Sequence, residues 1–215
     1  MKRALIAMFF VGYAGAIAAS NDIGTVAIYS DGKVEKLVEK GTGWEVWEDQ
    51  RKRLYKRSIH PVVPVLSYQK YPDRTQGFTQ AVKFGSPEEL IPFGKDDVVE
   101  FELNRQSPKS GNSIRYWRCT YHGEGNFKLK KKKYKTNKYT CARSAFWKEV
   151  VAKVREVHDI EYSPELGLIV SRRTKDRNWD VKKVELEALL TPERATAKRI
   201  SRIVYKLRKQ KRGRK

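Results

Sequence analysis

Histidine and cysteine are scarce in this 215-residue chain, at three and two residues. The histidines, His60, His122 and His158, have no spacing that would place two of them on one turn of a zinc-binding helix. His122 with Glu124, and Asp159 and Glu161 beside His158, read as loop or surface residues rather than ligands. No metal or other cofactor is therefore expected. The cysteines stand too far apart for a Cys-x-x-Cys redox pair. The Gly-x-Ser-x-Gly elbow, the phosphate loop and the dinucleotide fingerprint are all missing. Gly123-Glu124-Gly125 reads as a turn, and Glu100 and Glu102 as the solvated face of a strand. These absences point away from catalysis. Beyond the first nineteen residues, no apolar run approaches the roughly 20 residues that cross a bilayer. Carboxylates are the minority charge, 25 against 46 lysines and arginines.

What is present begins with a leader. Lys2-Arg3 gives a positive start, Ala4 to Ala14 is apolar, and Gly15-Ala16-Ile17-Ala18-Ala19 is a run of mainly small residues. That three-part form predicts a secretory signal over residues 1–19, cut after Ala18 or Ala19. No cysteine follows the apolar run, which argues against a lipid-modified N-terminus. In an exported chain, two cysteines predict one disulfide, Cys119 to Cys141. The expected location is periplasmic or secreted.

The rest reads as mainly β. Strands are expected at 23–29 and 34–38, joined by the turn Ser30-Asp31-Gly32-Lys33, since Asp-Gly supports positive φ between strands. Trp47 breaks the alternation set by Trp44 and Val46, the mark of a bulge. His60-Pro61-Val62-Val63-Pro64-Val65-Leu66 must be extended, and its prolines suit a sheet edge. Phe78, Val82 and Phe84 are expected on one strand face. Val99, Phe101 and Leu103 should point inward on the next. Trp117 and Tyr121 are expected on the face of Cys119, and Tyr139 on that of Cys141. Residues 148–160 fit a helix or a strand, and their valine density favours the strand. Val184, Leu186, Ala188 and Leu190 form the last strand. At Thr191-Pro192-Glu193 the pattern becomes helical, with Thr191 as cap, Pro192 at the first position and Ile200, Ile203, Val204 and Leu207 on one stripe. The predicted architecture is an antiparallel curved sheet, half-barrel or sandwich, over residues 20–190. A basic amphipathic helix and tail follow over 191–215.

Trp117-Arg118-Cys119, Tyr139-Thr140-Cys141 and the run Tyr162-Ser163-Pro164-Glu165-Leu166-Gly167-Leu168-Ile169-Val170 carry a resemblance. Together they resemble a family of exported bacterial β-rich proteins with a Cys…Cys meander and a Tyr-Ser-Pro-Glu-x-Gly-x-x-Val strand. The resemblance implies a curved one-layer sheet like the half-barrels of periplasmic lipid carriers, and it implies no enzymatic activity. Lys130 to Lys133 depart from the family pattern, which has a small turn there.

Charge is the strongest functional signal. Net charge is +21. Seven lysines lie between Lys128 and Lys138, and ten Lys or Arg between Lys198 and Lys215. Such density attracts polyanions. The candidate contacts are Lys130, Lys131, Lys132 and Lys133, with Lys198, Arg199, Arg202, Lys206, Arg208 and Lys209 on the helix. Export favours anionic lipid headgroups or acidic glycans over nucleic acid, for which no recognition motif is present. The expected function is thus non-enzymatic binding of anionic envelope components. The competing readings are an envelope hydrolase using carboxylates or His122, and an assembly protein whose charge is incidental. The helix's apolar stripe could instead pack on the sheet.

Overall fold

A computed structural model describes residues 21–85, 94, 96–147 and 150–212. The expected leader, 1–19, and the last tail residues, 213–215, lie outside them.

Twelve strands account for most of the described chain. They are β1 (Val26–Tyr29), β2 (Val34–Gly41), β3 (Trp44–Asp49), β4 (Leu54–Ser58), β5 (Ser67–Gln69) and β6 (Gly77–Phe84). Then come β7 (Val98–Ser107), β8 (Gly111–Leu129), β9 (Lys132–Trp147), β10 (Val150–Ser163), β11 (Leu168–Lys175) and β12 (Val181–Leu190). Each pairs antiparallel with its sequence neighbours, and β1 also pairs with β12. The sheet is therefore a closed up-and-down barrel. This corrects the half-barrel or sandwich expected from sequence. Alternation shows how a strand divides its two faces, but closure depends on the 26–29 and 186–190 segments finding each other, which no local pattern encodes.

The turn before β2 forms as expected, with Gly32 at φ 86°. Residues 150–163 are a strand, as the valines suggested. Phe101 and Leu103 point into the core beside Trp117, Cys119, Tyr139, Cys141, Ile160 and Tyr162. Cys119 and Cys141 are directly opposite on β8 and β9 and form the predicted disulfide.

Three local expectations fail, each for a physical reason. The bulge near Trp47 lies in the partner strand, where the β2–β3 register slips between Leu37 and Glu39. On β6 the register slips between Val82, opposite Leu103, and Phe84, opposite Glu102, so the two do not share a face; both are exposed, while Gln80 is buried and its amide donates to the Val65 carbonyl. The proline-rich 60–66 segment is not a sheet edge, because a closed barrel has none. It is the loop joining β4 to β5, and Val62 and Val63 on it are buried, Val62 among the side chains of the core.

The helix α1 (Ala197–Arg212) starts later than predicted. Thr191 makes no side-chain cap, and Pro192–Arg194 form a short 3-10 turn. Thr196 takes the capping place, its carbonyl accepting from Ile200 and its hydroxyl facing the Arg199 amide at 3.4 Å. Ile200, Ile203, Val204 and Leu207 pack on Val26, Ile28, Ala188 and Leu190. An irregularity where Tyr29 pairs with Leu186 and Ile28 with Ala188 makes this possible. The extra residue, Glu187, turns Leu186 toward one core cluster and Ala188 and Leu190 toward the helix.

Candidate functional site

The predicted basic residues form two separate exterior sets. With the apolar stripe of α1 against the barrel, Lys198, Arg202, Lys206, Arg208 and Lys209 are exposed and Arg199 is half-buried. The helix carries no acidic residue in its first turn, and among the described residues none of these six has an ion-pair partner. The second set crowns the β8–β9 hairpin. Lys130 and Lys131 make its two-residue turn, with Lys130 at φ 56°. Phe127 and Leu129, alternating with Lys128 and Lys130, pack against the core cluster of Ala27, Leu37, Trp47 and Val170. The hairpin end therefore lies on the barrel with its apolar side down and lysines outward. Lys130, Lys131, Lys132 and Lys133 are all exposed. Lys132 is ion-paired to Glu165, so it is not a free cation.

The residues proposed for hydrolysis are not assembled. His122 lies on the exterior, with Nε2 3.0 Å from the Thr140 hydroxyl and Nδ1 3.9 Å from Asp96. Thr140 donates to Asp159 at 3.1 Å, so the carboxylate orients the hydroxyl rather than the imidazole. Among the described residues, neither His122 nor Glu165 lines any of the four main cavities. Among the described residues no group of three or more His, Cys, Asp or Glu is placed to hold a metal.

The interior holds what sequence reasoning missed. The loop between β4 and β5 lies within the barrel wall and lines two cavities, of about 280 and 140 Å³, both touching Pro61, Val63, Val65 and Arg172. In the larger one Glu35 is buried and accepts from Arg57 at 2.5 Å and Lys33 at 2.6 Å. Burial alone would raise its pKa, but those two cations outweigh it and pull it down to about 2. In the smaller one Arg105, Arg115, Trp117, Glu156 and His158 face inward with Arg172. Glu156 accepts from Arg143 at 2.9 Å. Burial, then the Arg172 charge, hold the His158 imidazole well below its ordinary pKa, so it is neutral at pH 7. The only sequence signal was negative. Glu156 and His158 interrupt an otherwise apolar alternation, and these are the residues that look inward.

No protein-family model matches the chain, and no curated protein matches it in sequence. Its fold does have solved counterparts. An exported protein with a YmcC-like fold from Bacteroides fragilis is 10% identical over 79% of this chain and 96% of its own, with a TM-score of 0.42. The hypothetical lipoprotein YmcC from Escherichia coli K12 is 8% identical over 76% of this chain and 82% of its own, with a TM-score of 0.50. At that identity the likeness to YmcC is one of fold.

Proposed function

We propose that this chain acts outside the cytoplasm as a non-enzymatic binding protein for anionic envelope components. The acidic groups it meets are those of glycans or lipid headgroups, and the contacts are α1 and the lysine-crowned hairpin. One observation carries this reading: α1 is clamped by its apolar stripe, so Lys198, Arg202, Lys206 and Lys209 stand outward on a fixed scaffold, without carboxylate partners among the described residues. Fixing cations in place lowers the ordering cost of meeting a polyanion. The same clamping uses up the apolar face, so contact with a bilayer would be electrostatic adhesion rather than insertion. Export is supported by the leader pattern and the buried disulfide. The fold shared with YmcC, described as a lipoprotein, agrees with an envelope role.

The test is a salt series. Binding to polygalacturonate and to phosphatidylglycerol vesicles is measured from 20 to about 300 mM NaCl, a range over which the screening length falls severalfold. Affinity is expected for at least one surface at low salt, falling steeply as salt rises. Replacing Lys198, Arg202, Lys206 and Lys209 by serine should remove most of it. No binding at the lowest salt, or binding unchanged in the serine variant, overturns the reading.

A further inference from the structure

The smaller interior cavity has more positive charge than its walls can balance. Three guanidinium groups, of Arg105, Arg115 and Arg172, line it. Among the described residues the one carboxylate in its wall, Glu156, is already engaged by Arg143 at 2.9 Å. His158 stands edge-on to Trp117, ring centres 5.3 Å apart, and brings no negative charge.

Hydrogen bonding shows the same deficit. Among the described residues Arg105 Nε, Arg172 Nε and Trp117 Nε1 are buried donors without an acceptor, and all three residues line this cavity. Trp117 is 2% exposed. Buried donors are nearly always satisfied, and each one left unmet costs about 1–3 kcal/mol. Three of them at one small cavity mean that something accepting belongs there. Arg105 also lies over the Phe78 ring, 3.5 Å from its centroid, a cation–π contact that helps to hold its guanidinium at the cavity. Burial and then the neighbouring Arg105 and Arg143 charges push the Arg115 pKa down to about 10.

We propose that this cavity is a binding site for one compact oxyanion, a carboxylate, phosphate or sulfate group, held by Arg105, Arg115 and Arg172 with Trp117 Nε1 as a fourth donor. Arginine forks suit planar or tetrahedral oxyanions. The volume of about 140 Å³ takes a small anion or the acidic end of a larger molecule, not a length of polymer. The site is independent of the exterior basic faces, and neither reading needs the other.

The experiment compares sodium sulfate, phosphate and glucuronate with sodium chloride at matched ionic strength. Two readouts are followed on the full protein: the melting temperature, and the indole N–H resonance of Trp117, identified by its loss in Trp117→Phe. The expected result is a saturable shift of that resonance and a rise in melting temperature with at least one oxyanion and not with chloride. A response to sulfate or phosphate alone marks a free inorganic ion. A stronger response to glucuronate marks a sugar acid. Arg115→Met and Arg172→Met should each weaken binding by about tenfold or more. They should also raise the melting temperature of the unliganded protein, since each removes an unbalanced charge. Serine substitution of the four helix cations should leave these responses intact. The proposal is overturned if no oxyanion moves the Trp117 resonance beyond the chloride control, as for a cavity holding only water, or if the response persists undiminished in both arginine variants.

Discussion

Glu35 on β2 and Arg57 on β4 meet at 2.5 Å across the intervening strand, inside the barrel, with the Glu35 side chain 1% exposed. β3 separates their strands, so the pair links elements that share no backbone ladder. Because the Glu35 carboxyl titrates near 2 when folded and near 4.5 otherwise, its contribution is complete above about pH 4.5 and is lost as pH falls toward 2. The shift corresponds to about 3 kcal/mol. Glu35→Gln should cost about that much at pH 7, because it leaves Arg57 buried without its partner. Urea unfolding at pH 7, 4 and 2.5 should show the gap between wild type and variant closing with acid.

The disulfide gives a second prediction. Its cysteines are 22 residues apart and almost wholly buried. Replacing both by alanine should destabilise the barrel by about 3 kcal/mol in the chain-entropy model. Unfolding wild type in urea with reductant should give the same midpoint as the double variant, while reductant without urea should leave the buried bond largely intact.

Lys130 sits at φ 56°, a left-handed conformation that suits glycine. Lys130→Gly should therefore stabilise the chain by about 1 kcal/mol even though it removes a candidate contact. Lys131→Gly, at a position without positive φ, should not. Equilibrium denaturation of the two variants separates backbone strain from loss of charge.

The docked helix separates two kinds of substitution. Exposed Lys206 and Lys209 can be exchanged for serine with little change in melting temperature. Leu207→Ala should cost about 1–2 kcal/mol, because it opens a gap over the Ile28 and Leu190 surface. Deleting residues 198–215 should be worse still, exposing that whole apolar patch. Loss of binding in such a truncation would reflect a damaged barrel, so the serine variants carry the test. Melting curves of all three check the order.

Much of the fold was legible. Alternation placed Phe101, Leu103, Trp117 and Tyr139 on the buried face, and the spacing of Ile200, Ile203, Val204 and Leu207 marked the helix stripe. Closure was not legible, because the β1–β12 seam is a pairing between ends of the chain. The 60–66 segment misled because its prolines exclude ladder hydrogen bonds yet do not say whether the backbone lies at an edge or inside. The exterior cations could be read as runs. The interior ones could not. Arg105, Arg115 and Arg172 are single residues on three strands, and only the register sets them around one cavity. In a chain with 46 lysines and arginines they are indistinguishable from surface charge.

The seam between Val26 and Leu190 also governs how the molecule comes into being. Every other ladder joins neighbours along the chain and can zip up as a growing meander, but this one waits for residue 190 to arrive. Until then the nascent sheet has two raw margins, each able to recruit a stray strand. The last sixth or so of the polypeptide supplies both the closing strand and the helix laid across the join, so completion and protection are achieved in one act.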